Sequence, residues 1–526
     1  FGGFCNAKSV KQQLALRVLS TAALMAMVSS IATAAFADTY DLNKGSVTVE
    51  TKANGVTYVT QKDDKQEDGF ARNKNNEILN EHPDDTGVTI TSYGKQTENT
   101  ITVETAKDQT TDVTLENVHI EVNTTRAKSG AIEIKGDGDT NLELNGDNTV
   151  LVTNQWFGDE HAAIEKADKY GKEGTLTIKD DVNDDGKPKT GTEADTTGKL
   201  LAGGYHGTAA IGGGNGDRYS GEDSLADTSN ITITGGKITA IAGNDGGAGI
   251  GGGNNGTGKN ICIKGNADVT AVSQDGAAIG GGTGSGNSVT ITDDAVVNAY
   301  SASAAAIGNG GQVGRPNDPT TITISGKATV HAETRESGCA IGTSRDGSLS
   351  DLTINIEKNA NVTAIASHDN PAIGNAGCHG DTTTTINITG GTVNAINSFG
   401  SNYDPSFDGT GDTRPAIGAK IDSVDSGTCN VNINSSTGDT VVNAYIYGKG
   451  SGTAIGSRYK GQNVPADSAS YKADGSSYNK IVVFIDRSPA ECYNSFRVLW
   501  IGEALLPQRR FLGGSNHSFF VEMLIS

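Results

Sequence analysis

Short runs of alternating apolar and polar residues recur along most of the chain. One kind reads Ile-Thr-Ile, as at residues 231–233 and 322–324, and a second reads Ile-Thr-Ala or Val-Thr-Ala, as at residues 238–240 and 269–271. Successive side chains of a β-strand point to opposite faces, so alternation with a period of two is typical of strands. The pattern therefore predicts short strands that direct Ile and Val inward and Thr and Asn outward.

A third motif, Ala-Ile-Gly, separates these pairs of runs. It recurs eight times, once as Gly-Ile-Gly, and related Ala-Ile sequences lie at residues 130–132 and 162–164. The isoleucines of the eight copies, which lie 28 to 44 residues apart, are Ile211, Ile250, Ile279, Ile307, Ile341, Ile373, Ile417 and Ile455. A fixed motif with variable spacing indicates one structural unit with loops of different length.

Each unit thus holds three strands that are too short to be stable alone. Stacking unit on unit pairs every strand with its own copy, which builds three parallel sheets around an Ile, Val and Ala interior. Glycine after the isoleucine permits a sharp corner with positive φ. The sequence therefore predicts an all-β fold, a right-handed parallel β-helix, or three-sided β-solenoid, with a β-rich N-terminal cap. The pattern excludes three other repeat folds. A helical repeat would need apolar residues three and four positions apart, a propeller usually carries aromatic residues, and collagen needs glycine at every third residue.

The pattern also divides the chain. Residues 119–460 carry the repeats, and weaker alternation over 38–118 predicts the N-terminal cap and first coils. The aromatic-rich segment 461–526 is either a C-terminal cap or a non-native tail from a shifted reading frame. An open solenoid end needs a cover, because its unpaired strand edge would otherwise join other chains.

The first 37 residues predict export. Lys8, Lys11 and Arg17 precede an apolar run over 18–35, and an Ala-x-Ala pattern ends at Ala37. A basic N-terminal segment, an apolar central segment and a cleavage site of small residues are typical of a secretory signal peptide, here 1–37. We therefore expect an extracellular or cell-surface protein. No later run reaches the ~20 apolar residues of a transmembrane helix, so no transmembrane span is expected.

The alternation of residues 231–240 with the glycine-rich residues 248–253 resembles a family of secreted bacterial proteins. These are parallel β-helix surface proteins of gut Firmicutes, described as pectin-lyase-like or carbohydrate-binding-domain proteins. The resemblance covers about residues 110–460. It implies the same architecture, and it implies a surface protein that binds carbohydrate or, as in enzymes of this fold, cleaves acidic polysaccharide.

Charge and cysteine spacing limit the classes of partner that the chain is expected to bind. The formal net charge is −21, which disfavours nucleic acid and anionic lipid and leaves cations or neutral sugars. The six cysteines are widely spaced and form no C-x-x-C pair, so they give no zinc signature. We expect no nucleic-acid partner, and we expect a monomer.

The outward strand positions are the first candidate site. In the Ile-Thr-Ile runs they are Thr232, Thr290, Thr323, Asn355, Asn387 and Asn432. In the Val-Thr-Ala runs they are Thr239, Thr270, Asn298, Thr363, Asn394 and Asn443. Stacked coils would repeat these hydroxyls and amides about every 4.7–4.9 Å, a spacing suited to hydrogen bonding with sugars. The alternative is that Thr only reflects β-propensity and solubility.

The second candidate site is a calcium loop that begins at Asp181. Side-chain oxygens at positions 1, 3 and 5 and glycine at position 6 resemble the start of an EF-hand or dockerin loop. The ligands would be Asp181, Asn183, Asp185, the carbonyl of Lys187 and, one position late, Glu193. Ca²⁺ is thus the expected cofactor. The alternative is an acidic surface turn.

No catalytic motif stands out, so we predict a non-catalytic, adhesin-like protein that binds polysaccharide or host-surface glycan. The eight histidines are scattered, and neither His-Glu-x-x-His nor Gly-x-Ser-x-Gly is present. Two alternatives remain at this point. One is a polysaccharide lyase or glycoside hydrolase on the same fold, and the other is a structural stalk.

Overall fold

The computed structural model describes most of the predicted cap and repeat region. The described residues are 38–62, 77–82, 87–123, 129–153, 160–183, 189, 198–216, 225–284, 288–310, 319–344, 351–367, 370–378, 382–398, 415–421, 427–433, 440–447, 455–459, 469–473 and 480–486. The predicted signal peptide, 1–37, and residues 487–526 of the tail lie outside them.

The Ile-Thr-Ile runs form one face of the molecule, which we call the Ile-Thr-Ile sheet and which has 13 parallel strands among the described residues. Each strand pairs with its copy in the next coil, as Ile231 does with Ile261. Its strands are Asp38–Asp41, Val88–Thr91, Thr110–Glu116, Asp139–Asn145, Leu176–Lys179, Thr228–Ile233, Gly258–Ile263, Ser288–Ile291, Thr320–Ile324, Leu352–Ile356, Thr383–Ile388, Thr428–Ile433 and Ala469–Ala473.

The Val-Thr-Ala runs form a second face, which we call the Val-Thr-Ala sheet, and the described part of the chain contributes 12 strands to it. The pairing is again parallel and in register, as between Ala271 and Ala299. Its strands are Gln96–Thr97, His119–Asn123, Asp147–Thr153, Lys199–Gly203, Lys237–Ile241, Asp268–Ser273, Val296–Ser301, Thr329–Thr334, Asn361–Ser367, Gly391–Ser398, Thr440–Tyr447 and Lys480–Asp486.

The Ala-Ile-Gly motifs lie in the third face, the Ala-Ile-Gly sheet, in which the structure describes 14 strands. Its parallel strands are Val47–Thr51, Ile101–Thr105, Ile132–Lys135, Ile164–Glu165, Ile211–Gly212, Ile250–Gly251, Ile279–Gly280, Ile307–Gly308, Ile341–Gly342, Ile373–Cys378, Ile417–Ile421 and Ile455–Tyr459. Two antiparallel strands, Thr57–Lys62 and Glu77–His82, extend it beyond Val47–Thr51 and cover its N-terminal edge.

From Val88 onward the chain visits the three sheets in the order Ile-Thr-Ile, Val-Thr-Ala, Ala-Ile-Gly in each coil and then enters the next coil. This confirms the predicted right-handed parallel β-helix. Helical structure in the described residues is limited to two short turns, Leu42–Lys44 and Asp168–Tyr170. No helix in the described part of the chain has the length and apolar character to cross a bilayer.

The interior consists of stacked aliphatic side chains. The isoleucines of the Ala-Ile-Gly motif lie on one another, and Ile250, Ile279 and Ile307 are each fully buried. Alanine on the Val-Thr-Ala strands, such as Ala271 and Ala299, is buried too and keeps the interior narrow. Burying one isoleucine contributes roughly 1.5–3 kcal/mol, so repeated ladders stabilise coils that could not fold alone.

Glycine after the isoleucine is required by the backbone. All eight of these glycines have φ between 131° and 146°, as the predicted corner demands. The first seven also pack against the glycine of the next coil, so that a Cβ on Gly280 would lie 2.1 Å from the carbonyl oxygen of Gly308. An L side chain would therefore be both strained and blocked by backbone.

Candidate functional site

The predicted polar row of the Ile-Thr-Ile sheet is one continuous column. Thr290, Thr323, Asn355, Asn387 and Asn432 are successive register partners. Thr232 belongs to the same column, with the unpredicted Cys262 between it and Thr290. All six predicted side chains point outward and are half-buried. The structure therefore brings together every residue predicted for this row.

The predicted row of the Val-Thr-Ala sheet is also continuous. Its members in register order are Thr239, Thr270, Asn298, His331, Thr363, Asn394 and Asn443. His331 was not among the predicted residues, although it fills the outward position of its motif copy. Thr270 is buried, whereas the other members are half-buried.

The asparagines of both columns bond to one another. Asn387 donates from Nδ2 to Oδ1 of Asn355 over 2.9 Å, and Asn432 donates to Asn387 over the same distance. On the other face Asn443 donates to Asn394 over 2.8 Å. An amide has two N–H donors and two acceptor lone pairs, so the ladder uses only part of this capacity. The C-terminal coils therefore present a fixed amide lattice.

A second outward column lies beside the polar column on the Val-Thr-Ala sheet, two residues further along each strand. Its members in register order are Ile241, Val272, Tyr300, Glu333, Ile365, Ile396 and Tyr445. Six of these seven are apolar or aromatic, and two of the six, Val272 and Ile365, are buried. The sequence signal was the residue after each Val-Thr-Ala alanine, which the strand period also directs outward.

The two columns meet in a patch of four side chains that we call the aromatic patch: Asn298, Tyr300, His331 and Glu333. The rings of Tyr300 and His331 lie 5.6 Å apart at 48°. His331 Nε2 lies 3.6 Å from Glu333 Oε2, and both side chains are 31% exposed. Burial, followed by the charge of Glu333, raises the pKa of the Tyr300 phenol.

Such a patch can hold a molecule with one apolar and several polar surfaces. An aromatic ring offers a flat apolar face, while its phenol or imidazole edge stays polar. Amide, imidazole and carboxylate groups beside it supply donors and acceptors that fix orientation. The C–H face and hydroxyl rim of a pyranose ring match this arrangement.

The predicted calcium loop is described only at its start. Asp185, Lys187 and Glu193 lie outside the described residues. Asp181 accepts from Lys179 Nζ over 3.0 Å, and Asn183 Oδ1 is buried with no hydrogen-bond donor among the described residues. Two of the five predicted ligands are thus placed, and one of them already has a cationic partner.

Glu143 supports this turn from the previous coil. Its Oε1 accepts from the backbone N–H groups of Asp181 and Val182 over 2.8 and 2.9 Å. Burial, together with the adjacent Asp181 carboxyl, raises the pKa of Glu143 to about 8. The Glu143 carboxyl in turn lowers the pKa of Asp181. The two carboxyl groups therefore retain one proton between them near neutral pH.

A third cluster lies on the Ala-Ile-Gly sheet and was not predicted from the sequence. Glu133 and Glu165 are register partners in adjacent coils, at the position that glycine occupies in later coils. His161 Nδ1 lies 3.0 Å from Glu165 Oε2 and 4.0 Å from Glu133 Oε1. The available signal was Ala-Ile-Glu in place of Ala-Ile-Gly in two consecutive copies.

This cluster is buried, which sets its electrostatics. Glu165 is completely buried, and burial raises the pKa of its carboxyl despite hydrogen bonds from His161 and the Ala162 amide. Burial and the nearby Glu165 and Glu133 carboxylates raise the pKa of Tyr170 to about 12. Lys135 contacts Glu133 over 2.7 Å and lies 4.9 Å from the centre of the Tyr170 ring.

Comparison with known proteins gave no relative for this arrangement. No family model, no curated protein and no solved structure matches the chain.

Proposed function

We propose that this chain is an extracellular or cell-surface β-helix that binds polysaccharide or host-surface glycan without cleaving it. The binding surface is the outward face of the Val-Thr-Ala sheet, centred on the aromatic patch. The observation that supports this most is the pairing of a hydroxyl and amide column with an apolar and aromatic column on one face. The secretory pattern of residues 1–37 supports an external location.

The repetition of the columns favours a polymeric ligand. The half-buried outward groups of adjacent coils, such as Asn298, His331 and Thr363, lie about 4.7–4.9 Å apart, so an extended glycan can contact several coils at once. Each further contact is made intramolecularly and raises the overall affinity without stronger single contacts. The net charge of −21 favours neutral glycans, or acidic glycans bridged by a cation.

Calcium binding at Asp181 and its following loop is part of the proposal. Asp181, Asn183 and the neighbouring Glu143 supply oxygen atoms, which Ca²⁺ prefers. A cation here would replace the proton that Glu143 and Asp181 retain. Calcium would then hold the loop between Asp181 and Glu193 against the coil that carries Glu143.

A second candidate function is polysaccharide cleavage, and one observation favours it. His331 and Glu333 form a half-exposed pair 3.6 Å apart, beside the phenol of Tyr300. Imidazole and carboxylate groups are the usual proton donors and acceptors in such chemistry. The same residues could therefore act on a glycan that the face binds.

The test is binding of the full chain to a glycan array, with and without Ca²⁺. Tyr300→Ala removes the aromatic ring of the patch, and we expect about a tenfold loss of affinity for the ligands found. Tyr93→Ala is the matched control, because Tyr93 is 63% exposed and lies outside the face. We expect the control to bind like the unmodified chain.

Two outcomes would contradict the proposal. One is an array without any ligand, and the other is equal loss of binding in Tyr300→Ala and Tyr93→Ala. A reducing-end assay on the bound polysaccharides separates the two candidate functions. New chain ends that disappear in His331→Ala would establish cleavage in place of simple binding.

A further inference from the structure

Two buried carboxylates stand side by side on the Ala-Ile-Gly sheet. Glu133 and Glu165 are register partners, and Glu165 is in turn the partner of Gly212. They are 4% and 0% exposed, and the His161 side chain that lies against both is 8% exposed. One donor atom from each of the three residues lies within 4.8 Å of the others.

The carboxylates in and beside this cluster are shielded from water. Lys135 is the cation that contacts Glu133, and its side chain is 30% exposed. Glu160, directly before His161, is also buried, and its Oε1 lies 3.6 Å from Nδ1 of His206 without a hydrogen bond among the described residues. Three carboxylates are thus removed from water within one coil of each other. Buried carboxylates require partner charges, protons or a metal ion.

The geometry suits a transition metal. Zn²⁺ binds imidazole nitrogen and carboxylate oxygen at about 2.0–2.2 Å, so two ligands of a tetrahedral site lie roughly 3.0–3.5 Å apart. His161 Nδ1 and Glu165 Oε2 already lie 3.0 Å apart. Glu133 Oε1, at 4.0 Å from His161 Nδ1, completes the set after a small rotation of its side chain.

We propose that Glu133, His161 and Glu165 form a binding site for one Zn²⁺ ion. The mixed imidazole and carboxylate donor set favours zinc over Ca²⁺ and Mg²⁺, which prefer oxygen alone. The ion would join two adjacent coils and the segment that carries His161. It would also neutralise the two carboxylates that replace glycine in this part of the sheet.

The test is zinc binding by the full chain after removal of metal with EDTA. Elemental analysis is expected to show one Zn²⁺ per chain, and calorimetry is expected to show that Ca²⁺ does not compete for it. Glu165→Gln and Glu133→Gln should each weaken zinc binding at least tenfold. The matched control is Glu104→Gln, because Glu104 is an exposed register partner of Lys135 in the same sheet.

Further variants separate this site from the predicted calcium loop and from loss of folding. Asp181→Asn should leave the zinc stoichiometry unchanged, which excludes the calcium loop as the zinc site. Circular dichroism identifies variants that fail to fold. If Glu165→Gln or Glu133→Gln fails to fold, zinc binding is measured with His161→Gln in its place. The proposal is overturned by a folded chain that binds no stoichiometric zinc, or by Glu165→Gln and His161→Gln that bind zinc as the unmodified chain does.

Discussion

The Ala-Ile-Gly sheet has two regions that differ at one position of each coil. In the coils of Glu133 and Glu165 the residue after the isoleucine carries a buried carboxylate, and neither glutamate has positive φ. In the later coils the same register position is glycine with φ of 131° or more. We call these the glutamate coils and the glycine coils.

The difference shows which residues determine the fold and which positions can carry functional side chains. The isoleucines are in register across both regions, as Ile164 is with Ile211. The inward ladder therefore continues unchanged where the outward residue changes. In the glycine coils backbone packs against backbone and leaves no space for a side chain. At this position side chains therefore occur in the glutamate coils and, as Thr48 and Thr102, in the two coils before them.

Substitution of a ladder glycine should break the glycine coils. In Gly280→Ala the new Cβ would lie 2.1 Å from the Gly308 carbonyl oxygen at a φ of 135°. We expect a loss of about 4 kcal/mol in the free energy of unfolding, from combined strain and overlap. Gly94→Ala is the control, because Gly94 has φ of 69° but nothing within 4 Å of its Cβ. In denaturant unfolding the control should lose about 1–2 kcal/mol of the free energy of unfolding. An equal loss in the two variants would contradict the role given to backbone packing.

Truncation of a ladder isoleucine tests whether both regions share one interior. Ile164→Ala in the glutamate coils and Ile279→Ala in the glycine coils each remove a completely buried side chain. We expect each to cost about 2–5 kcal/mol, measured by the same unfolding experiment. Val296→Ala, at a 40% exposed position, is the control and should change stability by about 0.5 kcal/mol or less. A small effect at Ile164 alone would mean that the ladder is interrupted there.

Raising the pH should destabilise the coil that carries Glu143 and should not destabilise the glycine coils. The pKa of Glu143 rises from 4.5 to about 8 on folding, chiefly through burial, so the folded state binds its proton more tightly. That stability is fully present below pH 4.5 and is lost as the pH rises through about 8. In metal-free buffer we expect the unfolding temperature to fall between pH 5 and pH 8.5, and to fall less in Glu143→Gln. An equal fall in Glu143→Gln would show that different titrating groups cause it.

The asparagine ladder should have the smallest effect. Asn387→Ala removes the hydrogen bonds to Asn355 and from Asn432, both at 2.9 Å on a half-buried face. Net contributions of such bonds are small, so we expect a loss of about 1 kcal/mol. Thr290→Ala is the control, because it lies in the same column but outside the asparagine run. A loss no greater than that of the control would indicate that the ladder does not stabilise the stack.

The fold could be predicted from sequence because its rules are local and repeated. A period of two assigns each strand residue to the interior or the surface, as Thr290 and Ile291 show. Repetition of the motif then sets the register, since stacked copies align isoleucine on isoleucine. Both predicted polar columns followed from these two facts alone, and the described residues place all 12 members in them.

The candidate functional residues could be predicted only in part, because they lie at positions where the sequence repeat is interrupted. Tyr300 and Glu333 occupy an outward position whose residue type varies from coil to coil, so no motif identifies it. The buried set of Glu133, His161 and Glu165 depends on how the segment with His161 returns across the sheet, which local pattern does not encode. The remaining predicted calcium ligands, Asp185, Lys187 and Glu193, lie outside the described residues, so calcium binding stays a prediction.

A crystal structure of the full chain with the strongest glycan ligand from the array tests the central claim most directly. We expect a sugar ring in van der Waals contact with Tyr300, with hydroxyls bonded to Asn298 or His331 and the polymer running across successive coils. A glycan bound at another face, or at a coil end away from the Val-Thr-Ala sheet, would contradict the proposed binding surface.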